Sequence, residues 1–444
     1  MLWFLKTLRG KLPKEAFPIV RQNWMLTYVY LMKLYVIISG SLAQIGGAQL
    51  HIKSKKEYLE KHGYHVIIFH SSIGKSVFDC LNEYENCNLK EFALPAFYFT
   101  KKCCNRILSY MQKITSNYKY ENCIIESHSI ALSTWGELFA KRIGAKHFIF
   151  NITELPYSIP CLRSYLLFKF NRKELAFIKK EAIYTIFPNI VLPENHIVNL
   201  CAYNVDKSID DVKNPFEDVL SNMQSKYIIG IVGRLEKPYV LGTLNQIRRF
   251  ILDYLKEQKI TLVYVGGETD GGEQIKMKIT DYFASLPNVN ILFTGFIYPI
   301  PSGLVEKFDV CIANAGTARR LRALGRFVIS IDAHDNEPIG LLGVTTNNTL
   351  YRDSSDSAVQ LITLLKDVLL EHVYTAPQKI VYDSDISKIR EHLDFVAASS
   401  KLVTYYDIFD INYPMIVRLK RYFISLFGLE CYMKLGYKRH CISK

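Results

Sequence analysis

The chain has 444 residues, of which 49% are hydrophobic and 22% are charged, and its formal net charge is +13. This length predicts two or more domains, and the apolar content excludes a disordered chain. The positive charge favours anionic partners such as nucleotides, phosphorylated lipids, membrane surfaces or nucleic acids. The ten cysteines form no CxxC pair and no cluster with zinc spacing, which argues against a structural metal or disulfide framework and indicates a reducing cytosol.

Predicted strands and helices alternate through the first half of the chain. The first 17 residues lack the apolar region and cleavage site of a signal peptide. The apolar run over residues 24–39 is interrupted by Lys33, and we expect its last part to be a buried strand rather than a membrane span. The predicted strands are KLYVIISG, YHVIIFH, YENCIIESHS and KHFIFNITE, and the predicted helices lie in GGAQLHIKSKKEYLEKHG and ALSTWGELFAKRIGA. This alternation predicts right-handed βαβ units and a parallel sheet.

The same alternation starts again in the second half. The predicted strands there are KYIIGIVGRL, ITLVYVGG, NVNILFTGF, FDVCIANAG and RFVISID, with a helix in LGTLNQIRRFILDYLKEQ. The polar, proline-containing stretch CAYNVDKSIDDVKNPFEDVLSNMQS separates the two halves. We therefore predict domains at 1–215 and 216–385, followed by helices and a basic, aromatic tail at 386–444.

Gly46 and Gly47 lie between a predicted strand and a predicted helix. That position is the carboxyl edge of the sheet, where open α/β folds bind ligands. Glycines let ligand oxygens approach backbone N–H groups, and the following helix offers its positive end. The segment matches neither GxGxxG nor GxxxxGK[ST], so a plain turn is the alternative interpretation.

Two further strand ends carry similar features. GIVGRLEKP places Arg234 and Lys237 just past a strand, where both cations can bind phosphate oxygens. A solvated pair of surface charges is the alternative for these two side chains. ANAGTARRL adds a third strand–helix junction with Gly316 and Thr317. Three such junctions together predict a diphosphate held in a cleft between two domains.

These segments, in this order, resemble the retaining glycosyltransferases of family four. GGAQLHIKSKKEYLEKHGYHV resembles the first loop and helix of the family, and IVGRLEKP resembles its strand with an Arg/Lys motif. YNVD resembles the turn before the second domain, and FTGFI with FDVCIANAGTARRLRALGRFVISID resembles the late strand–helix–strand region. The resemblance covers most of residues 35–406. It implies an α/β fold of two Rossmann-like domains, the glycosyltransferase B type, facing an interdomain cleft, with C-terminal helices crossing back to the first domain.

The resemblance also implies roles for individual residues. The first domain would bind the acceptor and the second a nucleotide-diphosphate sugar, which is a substrate, with no cofactor and no metal. Arg234 and Lys237 would neutralise charge on the departing diphosphate. Glycines of the first loop would approach the donor phosphates, and the backbone around Phe296 would lie near the nucleobase. The predicted donor-binding residues are Gly46, Gly47, Phe296, Ile297, Gly316 and Thr317.

The sequence departs from the family pattern at one place. The family carries two glutamates seven residues apart near the ligand helix of the second domain. Here the region is NAGTARRLRALG, with Arg319 and Arg320 where a carboxylate is expected. Asp332, Asp335 and Glu337, just beyond the next strand, are the candidate replacements, and the donor class stays open.

Three polar residues end predicted strands of the first domain. IIESHSIAL places Glu126 and His128 at one strand end, and IFNITELP places Glu154 at the next. The resemblance puts a histidine at the position of His128 near the donor sugar, while a histidine satisfied by backbone and solvent is the alternative. Because the leaving phosphate can accept the acceptor's proton, we expect His128 and Glu154 to position groups. With Arg234 and Lys237 they form the predicted catalytic set.

Basic residues cluster on the first helix and in the tail. Lys53, Lys55, Lys56 and Lys61 predict either a solvated helix face or a contact with an anionic membrane or a lipid-linked acceptor. The tail YPMIVRLKRYFISLFGLECYMKLGYKRHCISK mixes cations with aromatic residues, which is typical of a segment lying on an anionic leaflet. A terminal helix packed across the first domain is the alternative, and both can hold for one helix.

The predicted function is sugar transfer, hexosyltransferase-like and retaining, from a nucleotide sugar to a saccharide or lipid-linked acceptor in bacterial surface polysaccharide assembly. We expect a cytoplasmic protein, peripheral on the inner face of the membrane. The alternatives are a nucleotide-sugar epimerase or phosphorylase of the same architecture and a non-catalytic scaffold. A nucleic-acid binder is suggested by charge alone, because the sequence holds no RNA or DNA motif, and we expect no nucleic-acid partner.

Overall fold

The computed structural model describes residues 32–43, 46–72, 74–76, 78–118, 120–153, 159–178, 180–192, 212–267, 272–379, 390, 394 and 408–442. Three sequence predictions fall outside these residues. They are the role of Glu154, the turn at 203–206 and most of the helix expected after residue 385.

The first lobe is built on a parallel sheet of five strands in the order β2-β1-β3-β4-β5. Residues 34–38, which lie in the first strand Met32–Ile38, are closed to solvent, as expected for a strand covered by helices on both faces. The strands are β1 Met32–Ile38, β2 Tyr64–Phe69, β3 Tyr120–Ser127, β4 Lys146–Asn151 and β5 Leu175–Phe177. All four strands predicted in this half are confirmed.

Helices connect these strands, and local signals fix their ends. Ser129 caps one helix by accepting a hydrogen bond from the Leu132 N–H, and Gly144 ends it with φ +68°. The helices are α1 Gly47–Lys61, α2 Lys101–Thr115, α3 Ile130–Ile143, α4 Arg163–Asn171 and α5 Lys180–Ile186. Short 3-10 turns lie at Asp79–Cys87, Lys90–Ala93, Ala96–Tyr98 and Pro160–Leu162. The two predicted helices are confirmed as α1 and α3.

The second lobe holds six strands in the order β11-β10-β9-β6-β7-β8. All pairs are parallel except β10 with β11. The strands are β6 Tyr227–Val232, β7 Ile260–Val265, β8 Val289–Phe293, β9 Val310–Ala313, β10 Val328–Ile331 and β11 Pro338–Leu341. The five predicted strands correspond to β6–β10, whereas β11 was not predicted from the sequence.

Seven helices accompany this sheet within the described residues. They are α6 Glu217–Met223, α7 Pro238–Gly242, α8 Leu244–Tyr254, α9 Gly272–Phe283, α10 Ser302–Val305, α11 Ala315–Ala323 and α12 Leu361–Leu369. The predicted α/β class with two Rossmann-like sheets is confirmed. The predicted boundary at 215 lies between the end of β5 and the start of β6, and the exact domain limits stay predictions.

The carboxyl edge of the second sheet lies against the first lobe. Tyr298, which follows β8, packs edge-to-face on Phe78 of the first lobe with ring centroids 5.2 Å apart. Ala315 and Ala333, which follow β9 and β10, pack against the core of the first lobe. Loops at the carboxyl ends of three strands therefore contact the opposite lobe, as a shared cleft requires.

The last helix, α13 Met415–Ile442, returns to the first lobe as predicted. Val417 is buried in the core of that lobe, and the Tyr413 ring stacks on Phe97 at 4.6 Å. Arg421 Nε donates to the Phe97 carbonyl at 2.8 Å. The helix bends at Gly428, where φ is +82°. Among the described helices, none is both long enough and apolar enough to cross a bilayer.

A buried ion network stabilises the first lobe beneath β3 and β4. The Glu137 carboxylate lies 2.7 Å from His147 Nδ1 and 2.8 Å from Lys169 Nζ. Burial lowers the pKa of His147 to about 4. Burial alone raises the pKa of Glu137, but the His147 hydrogen bond and the Lys169 charge bring it down to about 2. This network couples the stability of the lobe to pH.

Candidate active site

The glycine loop joins β1 to α1 at the carboxyl edge of the first sheet. Gly46 precedes the helix in an extended conformation (φ −168°) and has no side chain with which to cap it. The first turn of α1 contains no acidic residue. A Cβ added to Gly47 meets no atom within 4 Å, so the space beside it is open. The loop thus offers open backbone at the positive end of a 15-residue helix.

Hydrogen bonds from the flanking elements fix this loop. The Leu42 N–H donates to Ser72 Oγ at 2.5 Å, just beyond β2. Gln49 Nε2 on α1 donates to the Ser41 carbonyl at 2.6 Å. The loop is therefore attached both to the neighbouring strand end and to its own helix.

A buried polar network lies behind the loop, centred on Glu126 at the end of β3. The Tyr35 hydroxyl donates to Glu126 Oε2 at 2.5 Å, and Lys55 Nζ forms an ion pair with the same oxygen. His128 Nε2 lies 2.7 Å from Glu126 Oε1. All four side chains are at most 2% exposed. Burial and the Glu126 carboxylate raise the pKa of Tyr35 well above its usual value.

Both ring nitrogens of His128 have partners inside the first lobe. Nδ1 lies 3.3 Å from Ser39 Oγ, while Nε2 faces Glu126. The His128 N–H also donates to the Ile38 carbonyl at 3.0 Å. His128 therefore connects the ends of β1 and β3 beneath the loop, and its 2% exposure leaves the imidazole closed to solvent.

His51 on α1 adds a third potential metal ligand to this cluster. Ligand atoms of His51, Glu126 and His128 lie within 4.8 Å of one another, a spacing that a metal ion could use. The Lys55 ammonium already neutralises Glu126 and would repel a cation at this position. We therefore assign no metal to this cluster.

The expected solvated basic face on α1 is wrong for two of its lysines. Lys55 is completely buried and Lys56 is 7% exposed. Lys55 lies on the same helix face as the buried Ile52 and Leu59, at spacings of three and four residues. Its pairing with Glu126 offsets the cost of burying the charge. This pair was not predicted from the sequence, although the helical spacing of Lys55 was a usable signal.

In the second lobe, Arg234 and Lys237 lie on a tight turn after the central strand β6. The Lys237 N–H donates to the Arg234 carbonyl at 3.0 Å, and both residues are partly exposed. The Tyr239 hydroxyl donates to the Val232 carbonyl at 2.7 Å. A Cβ on Gly233 would lie 2.2 Å from that hydroxyl, so only glycine fits there. Packing of Tyr239 thus holds both cations at the carboxyl edge.

Phe296, after β8, lies beside this turn. A Cβ on Gly267 would come within 2.1 Å of the Phe296 ring, so the ring lies directly on that glycine. The Leu235 N–H donates to the Gly267 carbonyl at 3.2 Å, which joins the two loops. Phe296 is 43% exposed, whereas Ile297 packs against the second-lobe core. The exposed feature is therefore the Phe296 ring rather than the backbone alone.

The third predicted junction begins α11 at the lobe interface. Ala315 adopts φ +51°, and its N–H donates to the Thr349 carbonyl at 2.5 Å. Gly316 and Thr317 follow in the first turn, which contains no acidic residue, and both are partly exposed. Asn314 makes no capping bond within the described part of the chain. A second helix N-terminus thus lies at the edge that contacts the first lobe.

The candidate replacement carboxylates all have protein partners. Both oxygens of Asp332 accept backbone N–H groups, at 2.7 and 2.6 Å, and the residue is 3% exposed. Asp335 forms an ion pair with Arg352 at 3.0 Å. Glu337 accepts from Gln246 Nε2 at 2.8 Å. These carboxylates hold the segment after β10, and we do not assign Asp332 to the donor.

No protein-family model and no curated protein matches this sequence. Among solved structures, the fold is similar to a glycosyltransferase from Rickettsia africae, with a TM-score of 0.57 and 15% identity over 83% of this chain and 99% of that one. An α,α-trehalose-phosphate synthase from Burkholderia vietnamiensis gives a TM-score of 0.51 and 10% identity over 83% and 94% of the two chains. A trehalose-6-phosphate synthase gives a TM-score of 0.50 and 14% identity over 83% of this chain and 96% of that one. The chain therefore has the two-lobed glycosyltransferase B fold.

Proposed function

We propose that this protein is a glycosyltransferase that moves a sugar from a nucleoside diphosphate sugar to an acceptor hydroxyl. One observation carries the proposal. The glycine loop, the Arg234–Lys237 turn and the first turn of α11 all lie at carboxyl edges, and the second-lobe edge contacts the first lobe. Backbone N–H groups and cations gathered at such an edge are suited to a diphosphate.

The proposed reaction breaks the bond between the anomeric carbon and the leaving phosphate oxygen. A bond forms between that carbon and the acceptor oxygen, and the acceptor's proton passes to the leaving phosphate. Negative charge grows on the diphosphate as the bond breaks, and Arg234 and Lys237 stabilise it. No protein base is needed, which agrees with the enclosed His128. Retention of configuration follows from the resemblance to family four and is part of the proposal.

We assign His128 a positioning role. Its two ring nitrogens connect Glu126 to Ser39, the first residue after β1. Fixing Ser39 orients the loop that leads to Gly46 and Gly47. The exposed Phe296 ring then offers a stacking surface for the nucleobase. Arg319 and Arg320 in place of a carboxylate imply that ribose and sugar are bound differently from the family pattern.

The acceptor in this proposal is a saccharide or a lipid-linked saccharide. Surface polysaccharide assembly in a bacterium, on the inner face of the membrane, is the setting that we propose for it. An epimerase of the same fold would instead isomerise the donor sugar with no acceptor present. Measuring donor turnover with and without acceptor separates the two reactions, and rapid isomerisation without acceptor would rule out transfer as the main activity.

The test uses panels of UDP-, GDP- and ADP-sugars with saccharide acceptors. We expect Arg234→Ala to lower turnover at least tenfold, equivalent to about 1.4 kcal/mol of transition-state stabilisation. Arg249→Ala, which removes an exposed arginine of α8 in the same lobe, is the matched control and should keep normal turnover. Unchanged kinetics in a folded Arg234→Ala protein would contradict the proposed diphosphate site.

A further inference from the structure

The outer face of α13 carries a stripe of large apolar side chains. Met415, Leu419, Tyr422 and Leu426 follow one another at spacings of four, three and four residues, so they share one helix face. Each of them is between 55% and 77% exposed. Contiguous exposed apolar surface of this kind marks an interaction site. We call these four residues the outer stripe.

Within the described part of the chain, the packing of the fold does not use the outer stripe. Val417 and Ile424, on the opposite side of the helix, pack into the first-lobe core and are at most 7% exposed. The side chain of Lys420 lies over the Tyr98 ring at 5.4 Å, and Arg421 bonds to the Phe97 carbonyl. The helix is therefore already docked by its inner face, and among the described residues none buries the outer stripe, which can meet another partner.

Positive charge borders the outer stripe. Between Asp410 and Glu430 the sequence contains no acidic residue, and the exposed Arg418 lies directly before Leu419 of the stripe. A groove of about 750 Å³ separates α13 from the start of α2. Three exposed cations, Lys90, Lys102 and Arg106, line that groove with two carboxylates, Glu91 and Glu430, which leaves the groove with a net positive charge. Apolar side chains bordered by positive charge match the headgroup region of an anionic leaflet.

We propose that the outer stripe docks this protein on an anionic phospholipid surface. The apolar side chains lie among the lipid headgroups, and the flanking cations contact lipid phosphates. A second copy of the chain is a poorer partner, because a symmetric contact through the outer stripe would bring the same cations close together. Docking through α13 turns the first lobe, the predicted acceptor lobe, towards the bilayer. The proposal rests on no catalytic residue, so it stands or fails independently of sugar transfer.

The test is flotation of the full chain with lipid vesicles. One set of vesicles contains phosphatidylcholine alone, and the other also contains phosphatidylglycerol. We expect the protein to float with the anionic vesicles, to bind neutral ones at least tenfold more weakly, and to be released by high salt. The double variant Leu419→Glu/Leu426→Glu should bind the anionic vesicles at least tenfold more weakly than the unmodified chain.

The control is Met277→Glu/Val344→Glu, which places the same two charges on exposed apolar sites of the second lobe. It should float like the unmodified chain, and circular dichroism should show that all variants keep their helices. Flotation of the double variant at the normal level would overturn the proposal, and so would equal binding to neutral and anionic vesicles. A dimer that the double variant dissociates, without vesicle binding by the unmodified chain, would identify the outer stripe as an interface between copies.

Discussion

Replacing Lys55 with methionine tests the buried network behind the glycine loop. Methionine matches the length of the lysine stem but leaves the Glu126 carboxylate without its counter-charge. Both side chains are completely buried, so water cannot replace the lost ammonium. Removal of one partner from a buried ion pair costs about 3–5 kcal/mol. Glu126 keeps hydrogen bonds with Tyr35 and His128, so we expect a loss near the lower limit, about 3 kcal/mol.

A second substitution identifies the cause of that loss. Glu126→Gln in the Lys55→Met background removes the unpaired buried charge while keeping the size of the side chain. The double variant should therefore recover about 2 kcal/mol relative to Lys55→Met. Equilibrium urea unfolding followed by circular dichroism measures these differences. Lys53→Met is the control, because its ion pair with Glu57 is partly exposed and should contribute about 0.5 kcal/mol or less.

Two results would refute this reasoning. The first is a Lys55→Met protein whose free energy of unfolding falls no further than that of Lys53→Met. The second is a double variant that is no more stable than Lys55→Met alone. Either result would mean that the ion pair is not closed to water, and the positioning role of His128 would lose its physical basis.

Three further predictions concern the pH dependence of stability, the tightly packed Gly136 and Gly47 of the glycine loop. Because burial places the pKa of His147 at about 4 in the fold, against 6.5 for a free histidine, the unfolded chain takes up the proton first. The stabilising contribution of His147 should therefore be complete above pH 6.5 and decrease towards pH 4. A further loss of stability should follow towards pH 2 as Glu137 is protonated. Thermal unfolding at stepped pH measures this, and a midpoint that stayed constant would contradict it. Gly136→Ala should cost about 1–3 kcal/mol in urea unfolding, because the new Cβ would lie 2.2 Å from Ser127 Oγ, and an unchanged midpoint would refute the clash. Gly47→Ala should leave the unfolding midpoint unchanged or higher but raise the KM for the donor several-fold, and an unchanged KM would remove the glycine loop from the site.

Much of the fold could be predicted from the sequence because its strands are buried on both faces. Continuous apolar runs such as residues 34–38 identify strands of a parallel sheet without any long-range information. Gly63 and Gly144 adopt left-handed conformations at the ends of α1 and α3. Glycine commonly ends helices in this way, so both helix ends could be predicted from the local sequence. The antiparallel strand β11 was missed because Pro338–Leu341 contains a proline and a glycine, two residues that are depleted in strands.

The candidate site was less predictable, because its contacts join distant parts of the chain. Lys55 and Glu126 are 71 positions apart, and their pairing depends on how α1 lies across the sheet. The packing of the Phe296 ring on Gly267 depends in the same way on the pairing of β7 with β8. Strand-end motifs located the edge of each sheet, whereas the partners of each side chain required the assembled lobes.

The most direct test of the central claim is calorimetric titration of UDP, GDP and ADP into the unmodified chain and two variants. Gly47→Ala alters the first lobe and Arg234→Ala the second. If both lobes hold one diphosphate, one of the three nucleotides should bind, and each substitution should weaken its binding. The loss of affinity should be at least tenfold for Arg234→Ala. Neither substitution should change the affinity for the corresponding nucleoside by much. Absence of nucleotide binding would contradict the account, and so would a loss of nucleotide affinity in the variant of only one lobe.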